Sequence, residues 1–206
     1  MATIKIHGVP PSSFTRTARL AAHEKGIDYE LVSAFPGQVE PMNPFKKIPV
    51  MTHGDLVLYE STAIVRYLDR AFPGAKLWPD DLRAAALCDQ WVSAMCDSLA
   101  NSALRYMAAR FGFLPVPAEM QAKYLEKAKE VLPAFDRQLG KTRHLAGANL
   151  TAADLFLYPL LAYFPDVPEL AAVLASAPNC KRWMAEMVAR PSVKATEPEM
   201  KPKLAA

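Results

Sequence analysis

The apolar residues alternate between strand and helix periods up to about Phe72 and keep the helix period from about Leu82, and that division restricts what the chain can fold into. Ile4 and Ile6 alternate with polar neighbours across residues 3–7, the two-residue period of a half-buried strand. Ala18, Ala21 and Ala22 then recur at helical spacing, and Gly26 stands where a helix C-cap belongs. Tyr29 and Leu31 mark a second strand. Residues 50–52 and 56–59 read as a hairpin turning on His53-Gly54-Asp55. Ile64, Tyr67, Leu68, Ala71 and Phe72 fall at i, i+3, i+4, i+7 and i+8 and predict an amphipathic helix. Pro73-Gly74 and Trp78-Pro79-Asp80-Asp81 mark a linker. From about Leu82 the pattern is helical, broken near Pro115-Val116-Pro117 and across residues 140–149. Two halves of different class predict two domains.

The order β-α-β then β-β-α is similar to that of a thioredoxin-like domain. The expected fold is therefore an α/β thioredoxin-like N-terminal domain over residues 1–76 plus an all-α C-terminal helical domain over 83–206. Within the first half, residues 43–61 carry the most chemistry. Pro49 heads an apolar run, where its missing N–H and its access to a cis bond both matter. A cis Ile48-Pro49 bond would turn the Ile48 N–H and C=O outward, where an extended peptide docks by strand-like pairing. Glu60-Ser61 opens the next helix, whose first N–H groups favour a carboxylate. Together they make a seat for a small, charged, peptide-like ligand.

Composition narrows the functional classes. With 206 residues, 51% of them hydrophobic, the chain can bury a substantial core. A net charge of +3, without a basic stripe interleaved with aromatics, argues against nucleic acid. The start of the chain reads as a strand rather than a secretory signal, and the most apolar run, residues 155–164, is too short to span a bilayer. Cys88, Cys96 and Cys180 are odd in number and form no C-x-x-C pair, so a reduced cytoplasm fits and no metal site is expected. Thr151 and Asp154 form a capping box ahead of Leu155, Phe156 and Leu157. Trp183 and Met187 share a helical face and read as core. The tail from Lys194 onward, with Pro198 and Pro202, is expected to be loosely packed or disordered.

Four stretches in register resemble the glutathione transferase family. They are Gly8-Val9-Pro10-Pro11-Ser12-Ser13-Phe14-Thr15-Arg16 with the following 23–32 segment, the 43–61 segment, Leu150-Thr151-Ala152-Ala153-Asp154, and Ala189-Arg190-Pro191-Ser192-Val193. The chain is similar to bacterial-type cytosolic, serine-dependent members of phi- and zeta-like character. What the resemblance implies is a glutathione S-transferase that activates the glutathione thiol as a thiolate for attack on small apolar electrophiles. It implies glutathione as co-substrate, a hydrophobic electrophile as second substrate, and a homodimer. Ser12 aligns with the activating serine, and Ser13 and Thr15 are the fallbacks. Glu60 and Ser61 match residues that hold the γ-glutamyl end, and Ile48 before Pro49 would pair with the cysteinyl part. Lys47 would meet the glycyl carboxylate. Pro11, Phe14, Tyr106, Met107, Arg110 and Phe111 are candidates for the acceptor wall, expected between the domains.

The sequence also departs from these relatives. Lys46-Lys47 stands where they usually carry Gly-Gln, and the 33–42 segment is several residues shorter than in phi-like members. Both departures touch glycyl recognition. Two other functions compete with transfer. A zeta-type isomerase would use glutathione as cofactor, and Arg19 fits that class, but Phe14 and Thr17 replace its usual cysteine and arginine. A non-catalytic ligand-binding or interaction module would explain the shortened segment.

Overall fold

A computed structural model of the chain describes residues 3–200 and 202–205. In chain order the elements are β1 (Ile4–Gly8), α1 (Ser13–Glu24), β2 (Tyr29–Ser33), β3 (Val50–His53), β4 (Leu56–Tyr59), α2 (Ser61–Ala71) and α3 (Leu82–Ala94). A π-helical stretch, Met95–Leu104, follows without a break. Then come α4 (Arg105–Arg110), α5 (Ala118–Leu139), α6 (Ala152–Leu161), a single 3-10 turn, α7 (Pro168–Ala175), α8 (Pro178–Val188) and α9 (Pro191–Ala195). They group into two units, Met1–Trp78 with Arg190–Lys201, and Pro79–Ala189 with Pro202–Ala206.

The first unit is a four-stranded mixed sheet in the order β2-β1-β3-β4, with β1 parallel to β2 and antiparallel to β3. The β1–α1–β2 crossover makes the parallel pair, and the tight hairpin at Gly54 (φ 63) joins β3 to β4 as a second antiparallel pair. Ile6, Leu20, Met51, Ile64 and Leu68 are fully buried and form its apolar centre. Helix α1 ends in a Schellman motif, with the Ile27 N–H on the Ala22 carbonyl (2.9 Å) and the Gly26 N–H on that of His23 (3.1 Å). Gly26 supplies the left-handed φ of 65° that this ending requires.

The buried face of α2 differs from the face expected from spacing. Ser61, Ile64, Val65, Leu68 and Asp69 are buried, whereas Ala71 is exposed and Tyr67 half-buried. Asp69 lies inside because it is satisfied there: it accepts the Leu77 and Trp78 N–H groups (2.8 and 3.2 Å) and pairs with Lys25 (3.4 Å). A buried charge is tolerable when paired and hydrogen-bonded in this way.

The tail is another correction. Lys194 belongs to α9, Thr196 is fully buried and Pro198 is buried, so the segment is packed rather than loose up to that point. Two buried arginines of α1 hold it. Arg16 donates to the Val193 carbonyl (3.2 Å) and Arg19 to that of Thr196 (3.2 Å). Lys201 and Ala206, at the far end of the same expectation, lie outside the described residues. At the start of α9, Arg190 grips Glu24 bidentately (2.8 and 2.7 Å), and Ser192 also donates to Glu24. Burial alone would raise the Glu24 carboxyl, but the Arg190 and Ser192 hydrogen bonds and the Arg190 charge outweigh it and hold the group below its ordinary 4.5. A depressed carboxyl stabilises the fold above its ordinary value and loses that contribution as pH falls through the folded value. The stability gap between the parent protein and Glu24→Gln is therefore expected to be wide at about pH 7 and narrow at about pH 3. Denaturant midpoints showing one constant gap at both pH values would refute the linkage.

The second unit is helical, with Trp183, Phe135, Phe156 and Phe164 fully buried at its centre. Met187 is fully buried as well. Every residue of α6 is buried. The capping box at its start is formed, and the Asp154 carboxylate accepts the Thr151 N–H (2.9 Å). Cys88 and Cys180 are buried and Cys96 half-buried, all as free thiols. Burial, with Asp136 alongside, pushes Cys180 up to about 12, so it is inert as a nucleophile. Among the described residues no helix is long and apolar enough to cross a membrane.

Candidate functional site

The strand register collects the candidate residues of the first unit at one end of its sheet. His7 of β1 lies opposite Val50 of β3, and Val50 lies opposite Tyr59 of β4. The chain therefore leaves β1 toward Ser12, enters β3 from Ile48-Pro49, and leaves β4 into Glu60-Ser61, all at that same end. Antiparallel pairing makes this possible, since the end of one strand meets the start of the next.

Ser12 is the N-cap of α1, with extended backbone (φ −69, ψ 122). Its Oγ accepts the Thr15 N–H (3.3 Å), and its carbonyl accepts that of Arg16 (2.8 Å). That contact holds the hydroxyl oxygen in place by acceptance and leaves its proton to donate elsewhere. The positive end of the helix lies beside it. Burial separates the three neighbouring hydroxyl residues. Ser12 is half-buried, Ser13 is 8% exposed and Thr15 is fully enclosed. Among the described residues the Thr15 Oγ1 has no hydrogen-bond partner, and it packs so tightly against Gly8 that a Cβ there would sit 2.3 Å away. Gly8 is thus what lets α1 close down on β1.

The Ile48-Pro49 bond is cis, with Pro49 buried and Ile48 half-buried. Lys47 is exposed, and its carbonyl is held by the Nδ2 of Asn43 (2.7 Å). Asn43 is 1% exposed, and its Oδ1 accepts the Phe45 N–H (3.0 Å). The buried amide that ties this turn shut has no signature in the sequence. Lys46 adopts φ 55, and its ammonium lies 2.7 Å from Glu40 in an exposed pair worth little.

Glu60 adopts φ 66 and ψ 116 and makes no side-chain cap bond. A non-glycine residue there stores about 1–3 kcal/mol of strain, which a surrounding structure must hold in place. The side chain is exposed, while Ser61, the first helical residue, is 8% exposed. Its N–H is one of the first-turn donors with no carbonyl of its own helix to bond. Lys46 and Glu60 are the two non-glycine residues with positive φ among the described residues, and both flank this end of the sheet. Nothing in their residue types signals that backbone.

The acceptor-wall candidates fall in both units. Pro11 and Phe14, half-buried, belong to the first. Tyr106, Met107 and Arg110 come together on α4 in the second, with Phe111 at its end. Tyr106 and Met107 are 4% and 1% exposed. Arg110 donates to the Tyr106 hydroxyl (3.2 Å) and forms an ion pair with Glu169, which neutralises its charge. Burial raises the Tyr106 hydroxyl above its ordinary value, against the opposing effect of Arg110, so it stays protonated. Phe111 packs edge-on against Tyr163 (6.0 Å between ring centres). No group of three or more His, Cys, Asp or Glu that could hold a metal ion occurs among the described residues.

Known proteins with this geometry agree on one family. The model of the glutathione S-transferase N-terminal domain matches residues 6–76, and that of the C-terminal domain matches residues 95–191. A probable glutathione S-transferase of Oryza sativa subsp. japonica is 32% identical over 98% of this chain and 99% of its own length. Glutathione S-transferase 1 of Zea mays is also 32% identical, with the same coverage of both chains. Among solved structures, glutathione transferase F7 of Populus trichocarpa superposes with a TM-score of 0.84 at 28% identity, covering 94% of this chain and 97% of that one. A glutathione S-transferase of Methylobacillus flagellatus, solved with glutathione bound, gives 0.85 at 28% identity, covering 95% and 100%.

Proposed function

The chain belongs to the glutathione S-transferase family, and from that premise we propose that it ionises the glutathione thiol at the N-terminus of α1 and directs the thiolate at small apolar electrophiles. One observation carries the assignment of residues: the register of β1, β3 and β4 brings Ser12, Ile48 and Glu60-Ser61 to one end of the sheet. Ser12 donates its hydroxyl proton to the glutathione sulfur. Its half-exposed position supports it over Ser13 and over the enclosed Thr15. The Ile48 backbone pairs with the cysteinyl residue, Glu60 accepts from the γ-glutamyl ammonium, and Ser61 donates to its carboxylate. Lys47 meets the glycyl carboxylate as a point charge.

The chemistry balances without a covalent enzyme intermediate. The thiol proton leaves to solvent, the thiolate forms a carbon–sulfur bond, and the electrophile's leaving group departs with the electron pair of the bond it breaks. A free thiol titrates near about 8.5, so a donor and a helix terminus that favour the anion raise the reactive fraction at neutral pH. Catalysis then comes from positioning and charge stabilisation. The ion pair with Glu169 neutralises Arg110 and Tyr106 stays protonated, so neither of these two offers an acceptor a net charge, which supports uncharged acceptors.

Transfer is favoured over a zeta-type isomerisation. Thr17, which replaces the arginine of that class, is fully buried with its hydroxyl on the Ser13 carbonyl (3.1 Å), so it offers an acidic substrate nothing. The reading is of a phi-like, serine-dependent, cytoplasmic homodimer. Replacing Glu60 or Ser61 with alanine is expected to weaken glutathione binding by about 10- to 100-fold, the worth of a hydrogen bond to a charged group. Calorimetric titration with glutathione measures this. Unchanged affinity in both variants would remove the γ-glutamyl assignment.

A further inference from the structure

Between α3 and α4 the chain winds as a π-helix for ten residues, Met95–Leu104, with no glycine or proline to force it. Such winding is rare and usually limited to one turn, because each carbonyl must reach the N–H five residues on. Its consequence is rotational. A residue absorbed into a wider turn swings everything beyond it by about 100°, one residue's share of an α-helical turn. The elements beyond it are Tyr106, Met107 and Arg110 on α4.

One buried polar side chain lies inside this stretch. Ser102 is fully buried, and its hydroxyl donates to the Ser98 carbonyl (2.8 Å) with the Leu99 carbonyl close by (3.1 Å). Hydroxyls that bond back to carbonyls three and four residues earlier tilt those carbonyls off the helix axis. Here that tilt supports the wider winding, and Met95, Leu99 and Ala103, buried beside it, hold the stretch in the core. The exposed Asn101, which accepts from Arg105 (3.3 Å), adds a surface tie one turn before α4.

We propose that Ser102 is a positioning residue for the acceptor wall: by holding the π-helical winding it sets the rotation of α4, which turns Tyr106 and Met107 inward and leaves Arg110 half-buried. The proposal rests on the reading of α4 as acceptor wall given above. It predicts that acceptor recognition depends on a side chain that touches no acceptor. Loss of a neutral hydrogen bond of this kind is worth about 2- to 10-fold in an equilibrium.

The test compares Ser102→Ala, Ser102→Thr and Tyr106→Leu in the full chain, with a chlorodinitrobenzene as acceptor and glutathione as donor. Ser102→Ala is expected to raise the acceptor KM by about 2- to 10-fold, with the glutathione KM and the bound thiol's pKa unchanged. Ser102→Thr, which restores the hydroxyl, is expected to restore the acceptor KM. Hydrogen exchange should show faster amide exchange across residues 98–107 in the alanine variant and parent rates elsewhere. If Tyr106→Leu shifts the acceptor KM and Ser102→Ala does not, the inference is wrong while the wall reading stands. If neither variant shifts it, the wall reading fails and takes the inference with it. Equal losses for acceptor and glutathione, or no rescue by threonine, would mark Ser102 as ordinary packing and overturn the proposal.

Discussion

Ser12→Ala is expected to lower conjugation turnover at neutral pH by about 100-fold while moving the glutathione KM by no more than a few fold. The hydroxyl contributes where charge sits on sulfur, not where the tripeptide is gripped, so the loss appears in kcat. The α1 N-terminus remains in the variant and keeps part of the thiolate stabilisation. The bound thiol's pKa therefore rises toward the free value of about 8.5, and the acid limb of the rate profile moves to higher pH. Turnover should partly recover in alkaline buffer. The ultraviolet thiolate band of the glutathione complex, followed across pH, reads the same shift without an electrophile. Alanine also removes an N-cap that accepts from Thr15, at about 1 kcal/mol of stability, so the comparison needs Ser12→Thr, which keeps both cap and hydroxyl. If Ser12→Ala conjugates normally and Ser13→Ala does not, the donor has been misassigned. A complex whose thiol never shifts in the parent protein would instead favour a binding module without catalysis.

The largest expected loss of stability lies far from that chemistry, at Asp154. Four donors converge on this fully buried carboxylate: the Leu145 N–H (3.1 Å), the Thr151 N–H (2.9 Å), the Thr151 hydroxyl (3.2 Å) and the Trp183 indole N–H (3.0 Å). His144 also lies 3.3 Å away. The group thus ties the start of α6 to the preceding loop and to α8. In Asp154→Asn one oxygen becomes an NH2 that faces donors, leaving buried N–H groups without an acceptor. Such a loss costs about 3–5 kcal/mol. For a chain of this length that is roughly 6–20 °C in Tm. Thr151→Ala, which removes one hydroxyl and leaves the carboxylate, should cost only about 1 kcal/mol. Thermal unfolding of the two variants decides it. A Tm for Asp154→Asn within a degree or two of the parent would mean that the network is replaceable.

The sites of these two predictions were unequally visible in advance. Thr151 and Asp154 announced a capping box, because capping chemistry acts over three residues. The rest of the network was hidden, since Leu145 meets the carboxylate through the fold of the loop before α6 and Trp183 through the packing of α8. Ser12 stood at a helix start, but so did Ser13 and Thr15; burial is what separates them, and burial depends on how closely α1 approaches β1 at Gly8. The tail from Lys194 read as loose from its prolines and lysines. It docks because Arg16 and Arg19, which spacing places on α1, find the carbonyls of residues 193–196.

Local patterning sets the types of most elements, the rough limits of those in the first unit and two of the breaks in the second. Ile4 and Ile6 specify a strand, Gly26 ends α1, Gly54 turns the hairpin, and residues 115–117 and 140–149 break the helices. These are local matters, decided by side-chain period, by the φ that glycine and proline allow, and by groups a few residues apart. Long-range packing is what brings His7, Val50 and Tyr59 side by side, takes Asp69 inside to meet Lys25, holds Glu60 at a positive φ and winds residues 95–104 as a π-helix. Each depends on which distant surfaces meet, because burial and strand register are set by partners far along the chain and not by the residue's own neighbours.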